Sequence, residues 1–171
     1  VDGGALQDTL FESEVFGHER GAFTSADRQK KGLIEEAEGS TLFLDEIGET
    51  SPAIQAKLLR VLETNTFRRL GGNRALTADV RFVVASNRDL AEMSRTGSFR
   101  SDLYFRLASF VIRVPPLRQR RDDIPLLAEY FLQRFARGIE RKLTADALKL
   151  LMAYDWPGNV RELRSLVERA V

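Results

Sequence analysis

Ser40-Thr41-Leu42-Phe43-Leu44-Asp45-Glu46 is the stretch on which the reading of this chain turns. Thr41 to Leu44 run without a charged break into two adjacent carboxylates, which predicts a buried parallel strand carrying acid groups at its carboxyl end. In open α/β sheets, ligands gather at that end. Asp45 could there hold a magnesium ion, and Glu46 could orient or deprotonate a water, the two tasks that nucleoside triphosphate hydrolysis sets for carboxylates. Taken alone, the pair favours the plainer reading of a strand that runs into a solvated loop, because acidic residues commonly follow strands.

The neighbouring segments shift that balance. Val80 to Ala85 predicts a second buried strand, ending in Ser86-Asn87-Arg88. Neutral polar side chains beside the first strand's carboxylates would offer hydrogen bonds to a water or a γ-phosphate, although Asn87 is equally placed to cap a helix beginning near Asp89. Phe110 to Val114 predicts a third strand, stopped by Pro115-Pro116, where the domain boundary is placed. Between the first two strands, Ser51-Pro52 opens a helix with a hydroxyl cap and Ile54, Leu58, Val61 and Leu62 on its core face. Thr64 to Thr77, with Gly71-Gly72-Asn73, predicts a hairpin or projecting loop whose Arg68, Arg69 and Arg74 read as surface residues.

Upstream, Leu6, Leu10, Phe11 and Val15 recur at helical spacing over Ala5 to Phe16. Gly17-His18-Glu19-Arg20-Gly21 breaks that helix, and Ala22-Phe23-Thr24-Ser25-Ala26 follows as small residues around one aromatic. Phe23 either folds back onto the core or is presented to a partner, where aromatic anchors dominate binding energy. Ser98 to Leu107 predicts a short helix, on which Arg100 and Arg106 would lie roughly 120° apart. Past the prolines the pattern is helical. Asp122-Asp123 open one helix ending near Gly138, Thr144 caps a second, and Asn159 caps a third with Glu162 at its third position. Arg161 falls in the first turn of that last helix, where the dipole disfavours a cation and a bound phosphate would supply a reason for it.

Composition narrows the function classes. The chain has 171 residues, 43% of them hydrophobic, enough for one sizeable core and a small second lobe. Lys+Arg 26 against Asp+Glu 25 gives a formal charge of +1, so no overall basic field recruits nucleic acid. The absence of cysteine removes disulfides, thiolate metal sites and a Cys nucleophile together. No apolar run approaches the roughly 20 residues that span a bilayer, and the expected location is the cytoplasm, with no membrane partner.

These segments together resemble the central AAA+ ATPase domain of bacterial enhancer-binding proteins, the activators of sigma-54 RNA polymerase, from about Glu12 to Ala170. The most specific signature is Glu12-Ser13-Glu14-Val15-Phe16-Gly17-His18-Glu19-Arg20-Gly21-Ala22-Phe23-Thr24, which is similar to the family's approach to its GAFTGA loop. The resemblance implies an α/β P-loop NTPase core over 1–115 and an all-α lid over 116–171. It assigns Asp45 to magnesium and Glu46 to water activation as a Walker B pair, and Ser86-Asn87 to sensor I. It makes Arg100 and Arg106 fingers for the ATP of a neighbouring subunit, and Arg161 the sensor II residue. Gly21, Ala22, Phe23, Thr24, Ser25 and Ala26 become the contact to sigma-54 holoenzyme. ATP and Mg2+ are the implied cofactors, a hexameric or heptameric ring the implied assembly, and DNA contact the work of a separate domain.

The chain departs from the family pattern in two places. Ser25 stands where the family has Gly, and Ser adopts left-handed backbone less readily. None of the 12 glycines is followed by lysine, so the Gly-x-x-x-x-Gly-Lys phosphate loop is missing here. By family order that loop and the strand feeding it belong upstream of Val1. The alternative to an ATPase is therefore a folded interaction module that does not hydrolyse ATP.

Overall fold

The computed structural model describes residues 8–136 and 141–171. The expectations for Ala5, Leu6 and Gly138 lie outside these. The chain divides into two units, Val1–Val111 and Ile112–Val171.

The first unit opens with α1, Asp8–Phe16, which buries Phe11, Val15 and Phe16. Leu10, expected on the same stripe, is exposed, because it lies about 100° around the helix from Phe11 while Val15 shares that face. Gly17–His18 (β1) then pairs antiparallel with Lys30–Lys31 (β2), closing the base of the intervening loop. A Cβ on Gly17 would fall 2.6 Å from the Gly32 nitrogen, and one on Gly32 would fall 2.3 Å from the Gly17 nitrogen. Two bare backbones thus touch where the chain crosses itself. A short helix, Leu33–Glu36 (α2), leads to Thr41–Leu44 (β3).

After β3 come a 3-10 turn, Ile47–Glu49, and Pro52–Thr64 (α3), followed by Thr66–Phe67 (β4) and Leu76–Thr77 (β5). These last two pair antiparallel around Gly71-Gly72-Asn73, the expected hairpin. Arg81–Val84 (β6) pairs parallel with β3, Thr41 opposite Arg81 and Leu44 opposite Val84. Leu42 and Leu44 point into the core while Phe43 and Val83 lie on the exposed face. The strand is therefore buried on one side only, not on both. Leu90–Thr96 (α4) and Ser101–Leu107 (α5) complete the unit.

The expected third strand does not form. Phe110 to Val114 carries no strand pairing among the described residues, and Phe110 is 82% exposed. β-branched and aromatic side chains suit a strand, but only a partner's hydrogen bonds make one.

In the second unit, Asp123–Phe135 (α6), Ala145–Ala153 (α7) and Asn159–Ala170 (α8) pack around Trp156. Its indole Nε1–H donates to the Leu151 carbonyl at 2.8 Å, so the one polar atom of a buried ring is satisfied. Thr144 caps α7 as predicted, its hydroxyl accepting from Ala147 N–H at 3.2 Å.

Because Gly32 and Gly17 meet backbone to backbone, Gly32→Ala is expected to destabilise the first unit by about 1–3 kcal/mol. Chemical denaturation of wild type and variant checks this, and an unchanged midpoint would contradict the close crossing.

Candidate functional site

The ends of β3 and β6 are locked by two backbone bonds. Ala85 N–H donates to the Leu44 carbonyl at 2.9 Å, and Ile47 N–H donates to the Ala85 carbonyl at 3.0 Å. Asp45 and Glu46 occupy the step between those bonds. Glu46 takes a left-handed backbone, φ 52, a conformation costing a non-glycine residue about 1 kcal/mol and concentrated at functional positions. Its N–H donates to Asp45 Oδ1 at 2.9 Å, and Asp45 is exposed at the strand end.

Ser86 and Asn87 leave β6 at the same end. The Ser86 hydroxyl accepts from Arg88 N–H at 3.0 Å and lies 2.9 Å from where a Cβ on Gly48 would sit. A side chain at Gly48 would crowd Ser86 and Leu90, so the bare residue lets the two loops lie close. Asp89, not Asn87, caps α4, its Oδ1 accepting from Ala91 and Glu92 N–H at 3.0 and 3.1 Å. The Asn87 side chain is exposed and spared that role. Arg88 and Glu49 pair at 2.6 Å across the two loops. Ser51 holds the N-cap position of α3, with Pro52 following, yet its hydroxyl makes no cap bond and is buried without a hydrogen-bond partner. The predicted hydroxyl cap does not form.

Arg100 precedes α5 and Arg106 lies in its last turn. Arg100 is the residue before the helix, so the 120° separation expected on one helix does not apply. Its backbone N–H donates to Gln55 Oε1 at 2.9 Å. Its guanidinium grips Asp102 through two bonds, 2.7 and 3.1 Å, and the Asp102 carboxyl is held below its ordinary range chiefly by that hydrogen bonding. Arg106 reaches the other end of α3 and donates to the Leu62 carbonyl at 2.9 Å.

The loop Gly21 to Ala26 is closed by Gly21 N–H on the Ala26 carbonyl at 2.8 Å and Ala26 N–H on the Phe23 carbonyl at 2.9 Å. Phe23 is half-buried with its ring edge-on to His18 at 4.9 Å, so it folds back rather than standing free. His18 is buried, and both its ring nitrogens are used. Nε2 must carry a proton to donate to the Arg28 carbonyl at 3.0 Å, and Nδ1 shares a hydrogen bond with the Ser13 hydroxyl at 2.7 Å. Ala22 packs against Gly71, while Thr24 and Ser25 are exposed. Ser25 lies outside the left-handed region and Gly21, at φ 79, inside it. The serine substitution therefore carries no backbone strain in this conformation.

Arg69 corrects the reading of the hairpin arginines. Arg68 and Arg74 are exposed, but the Arg69 side chain is only 12% exposed. It holds Glu35 through two bonds of 2.6 and 2.7 Å and Glu19 through one of 3.0 Å. Bidentate arginine pairing of this kind joins hairpin, α2 and loop base. The Glu35 carboxyl is held below its ordinary range, first by hydrogen bonding to Arg69, against a desolvation effect of opposite sign. No local pattern announces a triad whose members are separated by 34 and 50 positions.

Arg161 stands exposed in the first turn of α8, within the second unit. Asn159 does not cap that helix. Its carboxamide oxygen instead accepts from Leu117 N–H at 2.8 Å, with its own backbone at φ 52. Glu162 reaches back to Gly158 N–H at 2.8 Å, one residue before the Asn159 N–H that the predicted capping box would use, because Gly158 and not Asn159 holds the cap position. An apolar cavity of about 500 Å³ lies among Leu132, Leu150, Tyr154, Trp156 and Leu166, with Glu162 at its lining. Among the described residues no cluster of three potential ligands could hold a metal ion by itself, and no helix is long and apolar enough to cross a membrane.

A parallel strand pair with acids at its carboxyl end precedes a helical second unit, an order that fits the AAA+ fold. A solved structure of NtrX from Brucella abortus superposes with a TM-score of 0.90 at 40% identity, covering 99% of this chain and 38% of that one. A second structure of that protein, in complex with ATP, gives 0.89. The chain belongs to the family described as the Sigma-54 interaction domain, which matches residues 1–113, and residues 118–171 match an AAA+ ATPase lid domain. Among curated relatives, the transcriptional regulatory protein ZraR of Salmonella typhimurium is 53% identical over 170 residues, 98% of this chain and 38% of the relative. The Nif-specific regulatory protein of Azotobacter vinelandii is 56% identical over 168 residues, 97% and 32% respectively. This chain thus spans about a third of the length of these relatives.

The direction of the Glu35 shift sets a pH dependence. A lowered folded-state pKa contributes stability above the unfolded value and loses it as pH falls through the folded one. Stability is expected to drop as pH falls below the ordinary glutamate value of about 4.3 more steeply in wild type than in Glu35→Gln, as measured by thermal melts on both sides of that pH.

Proposed function

We propose that this chain is the ATP-hydrolysing part of a transcription activator that remodels sigma-54 RNA polymerase holoenzyme for open-complex formation. The observation that carries the reading is the meeting of Asp45, Glu46, Ser86 and Asn87 at one end of a parallel strand pair within this family's fold. ATP and its Mg2+ supply the scissile bond and the counter-charge. Asp45 fits a magnesium site of the kind that takes one or two protein carboxylates and fills the rest of its shell with phosphate and water. It is exposed at the strand end, and no other ligand cluster competes among the described residues.

Glu46, set apart by its strained backbone, is the group to orient and deprotonate the attacking water. Asn87, free of capping duty, and Ser86 supply neutral hydrogen bonds toward the γ-phosphate. Arg100 and Arg106 are exposed at the two ends of α5, where they can stabilise charge on a nucleotide held by a neighbouring copy in a hexameric or heptameric ring. Arg161, a cation at a helix start, serves as the lid's contact to nucleotide. Gly21 to Ala26, with Phe23, form the contact to sigma-54. We assign these roles to a core of residues 1–115 and a lid of 116–171. DNA contact is assigned to a separate domain.

The exposed apolar run Phe110 to Val114 favours a second reading, a folded interaction module without ATPase activity. Phosphate release by the full-length protein separates the two. Glu46→Gln is expected to retain nucleotide and lose turnover by about 10²-fold or more. Arg100→Ala and Arg106→Ala are each expected to lose on the order of 10³-fold while binding ATP normally. Full activity in either arginine variant would remove its assignment. Phe23→Ala is expected to hydrolyse ATP yet give no open complexes in a promoter-opening assay.

A further inference from the structure

Gln55 is a polar residue on the otherwise apolar stripe of α3, between Ile54 and Leu58, and is 1% exposed. An amphipathic helix gains nothing from an amide in its core face, since burial of a polar group is tolerated only when its bonds are met. Both ends of this amide are met by backbone. Nε2 donates to the Thr50 carbonyl at 2.8 Å and Oε1 accepts from Arg100 N–H at 2.9 Å. The orientation is unambiguous, because a carbonyl can only accept and a backbone N–H can only donate.

Each partner leads onward. Thr50 is buried, and its hydroxyl donates to the Ile47 carbonyl at 2.7 Å. Ile47 N–H in turn donates to the Ala85 carbonyl at 3.0 Å, at the point where Asp45-Glu46 and Ser86-Asn87 leave their strands. On the other side, Phe99 is buried beside Arg100, which fixes the chain entering α5 while the Arg100 guanidinium faces outward on Asp102. One side chain therefore ties the loop after the acid pair to the backbone from which Arg100 projects.

The geometry points to Gln55 as a positioning residue that sets Arg100 for the neighbouring subunit's nucleotide according to the placement of its own subunit's Asp45-Glu46 loop. This rests on the reading of Arg100 as a residue acting on a neighbour's ATP. Gln55 touches no reacting atom. It acts by holding a backbone whose displacement by about 1 Å would cost on the order of 10²-fold in rate.

The test uses the full-length protein and its assembled ring. Gln55→Met keeps the side chain's length and removes both hydrogen bonds. It is expected to lower kcat for ATP hydrolysis on the order of tenfold to a hundredfold, with affinity for a fluorescent ATP analogue within about twofold of wild type. The decisive readout is complementation. A Gln55→Met subunit has an intact catalytic pair and a misplaced Arg100, so mixing with Glu46→Gln subunits, which bring a well-placed Arg100, is expected to restore its turnover. Arg100→Ala, mixed the same way, is expected to be rescued alike.

Rescue of Arg100→Ala without rescue of Gln55→Met overturns the assignment of Gln55, as does an unchanged kcat in Gln55→Met alone. Normal turnover in Arg100→Ala, or no rescue of it, instead removes the reading of Arg100 on which the inference rests. Gln55→Glu, which retains an acceptor for Arg100 N–H, is measured in parallel in case the Met variant does not fold. It is expected to lower kcat as well, since a carboxyl oxygen then faces the Thr50 carbonyl, and to show the same rescue, and a loss that mixing does not repair counts against the proposal.

Discussion

The carbonyl of Ala85 is the point on which the first unit's chemistry depends. It accepts Ile47 N–H from beyond the acid pair, while Ala85 N–H is already given to Leu44. The chain must therefore pass from Leu44 to Ile47 in two residues while staying bonded to the same neighbour. Asp45 and Glu46 are those two residues, and the left-handed backbone of Glu46 follows from the short step. Such strain persists only where surrounding structure over-determines it. Here the parallel ladder below, the bare Gly48 against Ser86 and the buried Ile47 above supply that constraint.

Helix α3 transmits the arrangement outward. Its apolar face builds the core with Ile54, Leu58 and Val61, and its two ends hold the two arginines by different means. Gln55 takes the backbone of Arg100, whereas the Leu62 carbonyl takes the guanidinium of Arg106. The loop Gly21 to Ala26 is fastened separately. His18 joins α1 to the residue after the loop, and Arg69 joins the loop base to α2 and the hairpin. Gln55, His18 and Arg69 each find hydrogen-bond partners, which is the condition under which such groups specify one geometry rather than weaken it.

Much of this was legible in the chain because the signals are local. Apolar runs ending in acids or amides marked the β3 and β6 strand ends, Gly-Gly-Asn marked the hairpin, and Thr144 and Glu162 marked helix starts through bonds to residues three or four positions away. Where the reading failed, a distant partner decided the outcome. Phe110 to Val114 has strand composition but no strand to pair with among the described residues. Asn159 has a capping side chain, but Leu117 N–H claims it. Arg69 looks like any surface arginine until Glu35 and Glu19 arrive from 34 and 50 residues away. Phe23 admitted two conformations, and only the placement of His18 beside it selects the folded-back one.

The sequence by itself determined the fold class, the acid and polar strand ends, and the approach to the loop, since hydrophobic period and short motifs act over a few residues and survive without knowledge of tertiary contacts. Tertiary structure alone decided that Glu46 is strained, that Arg100 precedes its helix instead of lying in it, and that Gln55 joins the acid loop to Arg100. Those outcomes depend on which backbone groups meet across 45 residues of chain. Hydrogen-bond geometry of that kind is satisfied or refused only after the elements have packed.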